Sequence, residues 1–95
     1  ENQALKQIWD KMPQAANTET ELSQPISLDD FYPEDKDYYN FEGSLTTPPC
    51  TEGVNWIVFK NQETVSKEQV EKFTQTLGFK NNRPIQDTNG RQIKE

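Results

Sequence analysis

The side chains that could support chemistry in this chain are few, and most lie in one short segment. The chain contains no histidine and a single cysteine, Cys50. A histidine general base, a Ser-His-Asp triad, a histidine metal site and a cysteine-built zinc site are therefore excluded within it. Its 16 acidic residues show no local pairing of the kind that acid–base catalysis requires, and we expect most of them on the surface. The remaining candidate is the segment Gly43–Cys50.

The Gly43–Cys50 segment contains two threonines followed directly by two prolines. Pro48 and Pro49 stiffen the turn, which allows Thr46 and Thr47 to be held in fixed orientations. The local pattern alone favours a structural turn whose hydroxyl groups are hydrogen-bonded, because Ser, Thr and Pro are common in turns. Cys50 has no partner in this sequence for a disulfide, so a buried free thiol and a bond to a cysteine outside it both remain open.

Strands are predicted on both sides of this segment. Tyr38–Phe41 has strand composition, and Val54–Phe59 is a nearly continuous apolar run of the kind found in strands that are covered on both faces. A further short strand is predicted at Arg91–Ile93, after an Asn-Gly turn. Residues 14–30 are polar, and we expect a surface loop there with at most one short strand.

Two helices complete the predicted elements. The first covers residues 2–12, where apolar residues recur at helical spacing until Pro13 ends the helix. The second begins at Ser66, which forms a capping box with Gln69, and ends at Gly78. Val65 and Val70 occupy its staple positions, and its predicted apolar stripe consists of Val70, Phe73 and Leu77.

The composition indicates that these elements bury too little apolar surface to form a stable fold alone. The hydrophobic share is 31%, against about 45–50% by a similar count in ordinary globular chains. The aromatic share of 11% argues against simple disorder, so we expect one piece of a larger folded unit. The net charge of −6 disfavours nucleic acid and anionic membrane surfaces as partners. The sequence shows no transmembrane run and no signal-peptide pattern.

Several segments of the sequence also resemble a known protein family. Tyr39–Trp56 is very similar to the signature loop and following strand of the α-class carbonic anhydrases. The resemblance continues through Val65–Val70, Asn82–Pro84 and Gly90–Ile93, in family order and with approximate family spacing. Residues 1–37 match more loosely, and the cysteine directly after two prolines resembles the bacterial and other extracytoplasmic members.

The resemblance implies a fold and a domain assignment. The fold is α+β and mainly β: a central twisted, mostly antiparallel sheet with peripheral helices, which is incomplete in this chain. Residues 1–95 are expected to form the C-terminal part of a single domain, with the zinc-binding N-terminal part outside the chain. The expected partner is therefore the N-terminal segment of the same enzyme, and a homodimer remains open.

The implied activity is the reversible hydration of carbon dioxide to bicarbonate and a proton. In the family, zinc is held by three histidines, here outside the chain, and its bound hydroxide attacks carbon dioxide. By position Thr46 is the catalytic gatekeeper, and no residue of this chain is a metal ligand. The residues that the resemblance assigns to the substrate pocket are Leu45, Thr46, Thr47, Val54 and Trp56. A catalytically silent binding module of the same fold is the alternative.

The resemblance makes further assignments outside the pocket. Cys50 is expected to form a disulfide with an upstream segment, which indicates a periplasmic or secreted protein. Asn82, Arg83 and Arg91 are expected to be structural anchors, and the peptide bond before Pro49 is expected to be cis. The chain by itself is expected to be inactive, with neither nucleic acid nor a membrane as a partner.

Overall fold

The computed structural model describes all 95 residues, and the chain divides into two compact units. The first unit contains Glu1–Pro33 and Glu63–Lys80, and the second contains Glu34–Gln62 and Asn81–Glu95. Apart from Pro33, the one buried apolar residue is Ala4. The low hydrophobic content of the sequence thus corresponds to a chain with almost no buried core of its own.

Helix α1 (Gln3–Trp9) opens the first unit and is shorter than the predicted helix at residues 2–12. The Asn2 side chain caps it by accepting a hydrogen bond from the Leu5 amide at 3.0 Å. Beyond Trp9 the chain continues in tighter turns, in which the Lys11 amide donates to the Ile8 carbonyl at 3.0 Å. Residues 14–30 contain no strand, and a short 3-10 helix covers Leu28–Phe31.

Helix α2 (Lys67–Leu77) has the predicted boundaries at both ends. Ser66 and Gln69 form the capping box, and Gly78 ends the helix in the left-handed conformation, at φ 80°. The predicted apolar stripe is only partly correct, because Val70 leaves 50% of its surface exposed. Gln69 takes the most buried position of the helix, beside the half-buried Phe73.

Gln69 also joins the two helices of the first unit. Its side-chain oxygen accepts from the Asn2 amide at 2.9 Å, and its Nε2 donates to the Asn2 carbonyl at 2.8 Å. The Trp9 indole stacks on Phe73 at 5.6 Å between ring centroids and donates to the Gln69 carbonyl at 2.7 Å. The start of α2 is thereby fixed to both ends of α1.

Strands β1 (Tyr38–Ser44) and β2 (Glu52–Phe59) form an antiparallel pair in the second unit. Both are longer than predicted and extend up to the Thr-Thr-Pro-Pro segment that joins them. Phe41 lies opposite Trp56, and Gly43 lies opposite Val54. The register then shifts by one residue, because Gly53, at φ 86°, is left unpaired in β2 as a bulge.

The prediction of a third strand at Arg91–Ile93 is wrong. The only pairing there is an isolated bridge between Asn40 and Lys94, with amide–carbonyl distances of 2.7 and 2.8 Å. Ile57 and Val58 point to opposite faces of β2, and they remain 51% and 44% exposed. The predicted cover on both faces is absent within this chain. Neither α1 nor α2 has the length and hydropathy that a membrane-spanning helix requires.

Candidate functional site

The candidate site is the loop between the two strands, residues 45–51. Its ends are joined by a hydrogen bond from the Leu45 amide to the Thr51 carbonyl at 2.9 Å. Inside it, the Cys50 amide donates to the Thr47 carbonyl at 2.8 Å, and the Pro48–Pro49 peptide bond is cis, as the resemblance implies. Cys50 is half-buried and has a positive φ of 57°. The two hydrogen bonds constrain the loop backbone, although its surface is open.

Thr46 and Thr47 lie at the exposed tip of this loop. Neither hydroxyl group forms a hydrogen bond within the chain, and the Thr46 amide has no acceptor either. The local turn pattern predicts that both hydroxyl groups form hydrogen bonds within the turn. That interpretation is wrong for Thr46 and for Thr47. What the loop offers instead is a fixed backbone that carries unpaired hydroxyl groups.

Trp56 and Val54 share one face of β2, and both are half-buried. The Trp56 indole lies parallel to the Phe41 ring, with centroids 6.4 Å apart and planes inclined by 10°. Its Nε1 donates to the Ser44 carbonyl at 3.0 Å, across the strand pair. The indole passes directly over Gly43, where an added Cβ would lie 2.7 Å from Trp56 Cδ1. The missing side chain at position 43 thus makes room for the indole.

Ser44 is a site residue that the sequence analysis did not identify. Its hydroxyl accepts a hydrogen bond from Arg83 Nη1 at 2.6 Å and lies 2.9 Å from the Leu45 carbonyl, to which it donates. A serine at the end of a strand gives no local signal for this role. Its partner Arg83 is 39 residues away in the sequence.

The anchors that the resemblance assigned have different outcomes. Arg83 and Arg91 are both engaged, Arg91 by donating to the carbonyls of Thr88 at 2.8 Å and Glu42 at 2.6 Å. Asn82 is exposed and its side chain forms no hydrogen bond in the chain. The arginines therefore tie the C-terminal segment to β1, in agreement with the expected anchoring.

An open cleft of about 320 Å³ lies beside the loop, on the side of the arginines. Ser44, Cys50, Glu52, Arg83 and Arg91 contribute to its lining. None of the five residues assigned to the substrate pocket lines this cleft. The hairpin brings the loop residues to the same end as Val54 and Trp56, but within this chain they form an open surface.

The ionisable groups of the chain do not form a metal site. No group of three or more His, Cys, Asp or Glu side chains converges anywhere in the structure. The resolved pKa shifts belong to an exposed pair on α1, where the hydrogen bond from Lys6 lowers the pKa of Asp10 and raises that of Lys6. An exposed pair of this kind contributes little to stability and is not part of the candidate site.

Comparisons with known proteins agree on one family. Residues 1–95 match the eukaryotic-type carbonic anhydrases. The chain is 46% identical to the carbonic anhydrase of Neisseria gonorrhoeae over 94 residues, which covers 99% of this chain and 37% of that protein. It is 43% identical to the carbonic anhydrase of Klebsiella pneumoniae, which covers all of this chain and 39% of that protein.

Solved structures give the same result for the fold. The α-carbonic anhydrase of Thermovibrio ammonificans, in complex with the inhibitor sulfanilamide, matches with a TM-score of 0.93 and 46% identity. The match covers all of this chain and 42% of the other. The enzyme of Photobacterium profundum matches with a TM-score of 0.90. The predicted fold is confirmed as a partial one, since the chain spans less than half the length of each of these proteins.

Proposed function

This chain belongs to the eukaryotic-type, or α-class, carbonic anhydrase family, and from that membership we propose that it contributes to the reversible hydration of carbon dioxide. The products are bicarbonate and a proton. In this proposal the chain is the C-terminal part of a complete enzyme and supplies the gatekeeper threonine and part of the substrate pocket. The observation that carries the proposal is the pair of unpaired Thr46 groups, hydroxyl and amide, on a constrained loop.

The role proposed for Thr46 follows from its two unpaired polar groups. Its hydroxyl accepts a hydrogen bond from the attacking hydroxide and donates its own proton to an acceptor outside the chain, a glutamate by resemblance. That arrangement points a lone pair of the nucleophile at the carbon of carbon dioxide, which is an effect of orientation. The Thr46 amide is available to the oxygen on which negative charge develops.

The neighbouring side chains suit a small apolar substrate. Val54 and Trp56 present half-buried apolar surface on one face of β2, and Leu45 adds an exposed aliphatic side chain on the loop. We assign these three residues to the part of the pocket that receives carbon dioxide. Thr47, with its unpaired hydroxyl, is assigned to contact with bicarbonate.

Zinc does not fit the residues of this chain. The sequence lacks histidine, and no cluster of three or more metal-ligating side chains forms. We therefore assign the ligands to histidines outside the chain, as the resemblance implies, and the roles given above concern only groups that this chain carries.

Cys50 bears on the cellular location of the complete protein. It is half-buried and lies at the end of the candidate loop. We propose that it forms a disulfide with an upstream segment and that the protein is periplasmic or secreted, because disulfides persist in oxidising compartments. The proposed partner of this chain is the N-terminal segment of the same enzyme.

The decisive experiment replaces Thr46 in the complete protein. Thr46→Ala should lower carbon dioxide hydration by roughly one to three orders of magnitude, the scale of losing one well-placed transition-state hydrogen bond. Metal content should stay at the wild-type level, because Thr46 orients the nucleophile and holds no metal. The matched control Thr46→Ser keeps the hydroxyl and should retain much more activity.

Stopped-flow hydration and metal analysis on the same preparations measure both quantities. A Thr46→Ala enzyme with wild-type turnover would show that Thr46 is an ordinary turn residue. A wild-type protein that folds and lacks all hydration activity would instead favour a catalytically silent binding module.

A further inference from the structure

We infer that Ser44 is a positioning residue for the Thr46 hydroxyl, and that Arg83 and Trp56 hold Ser44 in place from two sides. The inference rests on the proposed role of Thr46 in carbon dioxide hydration. Ser44 is the last residue of β1, two positions before Thr46. Its effect on the reaction would pass through the backbone of the loop.

The peptide plane that joins Ser44 to Leu45 is held at both of its polar groups. Its carbonyl oxygen accepts from Trp56 Nε1 at 3.0 Å, and its amide donates to the Thr51 carbonyl at 2.9 Å. Because a peptide unit is planar, two hydrogen bonds on opposite edges fix its orientation.

The next peptide plane, which joins Leu45 to Thr46, is held at only one of its two polar groups. Its carbonyl accepts a hydrogen bond from the Ser44 hydroxyl, at an oxygen–oxygen distance of 2.9 Å. Its amide is the unpaired Thr46 N–H. The planar unit couples the two groups, so the Ser44 hydroxyl sets the direction in which the Thr46 N–H points. It also restricts the torsion angles on which the position of the Thr46 side chain depends.

Arg83 determines which way the Ser44 hydroxyl donates. A guanidinium has only donors, so at 2.6 Å Arg83 Nη1 must donate and the Ser44 oxygen must accept. The hydroxyl proton is then free to point at the Leu45 carbonyl. Ser44 and Arg83 are both half-buried, so the bond between them is partly shielded from water, whereas the bond from Ser44 to the Leu45 carbonyl is exposed. Two distant parts of the chain, β2 and the segment around Arg83, thus converge on the residue that leads into the loop.

The test is a double-mutant cycle on carbon dioxide hydration in the complete enzyme. Ser44→Ala removes both hydroxyl bonds and should lower turnover about two- to tenfold, the range expected for one or two ordinary hydrogen bonds. Ser44→Thr keeps the hydroxyl and should restore most of the activity. Ser27→Ala is the matched control, because the Ser27 side chain forms no capping bond at its 3-10 helix, and it should leave turnover unchanged.

The informative measurement is the effect of Ser44→Ala when Thr46 is already alanine. If Ser44 acts by positioning the Thr46 hydroxyl, most of its effect disappears in the Thr46→Ala background. An equal loss in both backgrounds would show that Ser44 acts on something that Thr46→Ala leaves intact, the amide of residue 46 or the fold as a whole, and would overturn the inference. Wild-type turnover in Ser44→Ala, with Thr46→Ala strongly impaired, would overturn it and leave the proposed function intact. Wild-type turnover in Thr46→Ala would refute the proposed function, and the inference with it.

Discussion

Gly43→Ala is the change that best tests whether the position of the Trp56 indole matters. In the structure a Cβ at position 43 would lie 2.7 Å from Trp56 Cδ1 and 3.1 Å from its Nε1. Ordinary contact begins at 3.4 Å, so the indole or the strand has to yield by about 0.7 Å. The Phe41 ring, 3.5 Å from the added atom, leaves little room on the other side.

The expected loss of stability in Gly43→Ala follows from the contacts that hold the Trp56 indole. Overpacking of a well-fitted contact costs about 1–3 kcal/mol, and any shift also strains the 3.0 Å hydrogen bond from Nε1 to the Ser44 carbonyl. We expect the free energy of unfolding of the complete protein to fall by an amount in that range. Because Trp56 belongs to the proposed pocket, kcat/KM for carbon dioxide hydration should fall as well, without loss of metal.

Denaturant unfolding, steady-state kinetics and the indole N–H resonance of Trp56 measure these effects separately. Gly53→Ala is the control: its added Cβ meets nothing within 4 Å, but a φ of +86° strains any side chain there. It should destabilise the protein through the backbone and leave the Trp56 resonance in place. If Gly43→Ala left the resonance, stability and kcat/KM all unchanged, the close approach of the indole to Gly43 would be refuted.

Further expectations concern self-sufficiency, Cys50 and Gln69. Residues 1–95 expressed alone should unfold without a sharp cooperative transition in calorimetry and bind no stoichiometric zinc, because almost no apolar side chain is buried; a sharp melt or one tightly bound zinc per chain would contradict this. In the oxidised complete protein, Cys50 should resist thiol labelling under denaturing conditions until a reductant is added, and immediate labelling would exclude the disulfide. Gln69→Ala should lower the free energy of unfolding by about 2–4 kcal/mol, because it removes three hydrogen bonds from a side chain that is 6% exposed. Gln69→Glu keeps the oxygen that accepts from Asn2 and Ser66 but turns a second oxygen without a proton toward the Asn2 carbonyl, so it should also destabilise the protein; wild-type stability in Gln69→Ala would contradict the role given to this side chain.

The features that the sequence predicts well depend on neighbours a few residues away. The capping box at Ser66 and the glycine stop at Gly78 are both confirmed, because each is formed by contacts within one helical turn. The family motif around Thr46 is recognisable for a similar reason, since it is a continuous stretch. The lack of histidine likewise settles from the sequence alone that this chain holds no histidine metal site.

Predictions that depended on a distant partner were less successful. Arg91–Ile93 has strand composition, but only Lys94 pairs with β1 through its backbone, so no third strand forms. Val70 has the right spacing for the buried stripe of α2, yet the packing of α1 places Gln69 at the buried position. In both cases the local pattern was compatible with the predicted structure, and the contact that decided it came from elsewhere in the chain.

The sequence by itself determined the loop chemistry of this protein: two hydroxyl groups before two prolines, no histidine to bind a metal, and membership in a recognisable family. Only the tertiary structure decided how that loop is held. Ser44 is linked to Trp56 twelve residues away and to Arg83 thirty-nine residues away, and Gly43 is required because an indole from the opposite strand crosses it. The local sequence around one of these residues carries no information about its partner. Hydrogen bonding and packing depend on the distance between atoms in space, and residues far apart along the chain can be close in space.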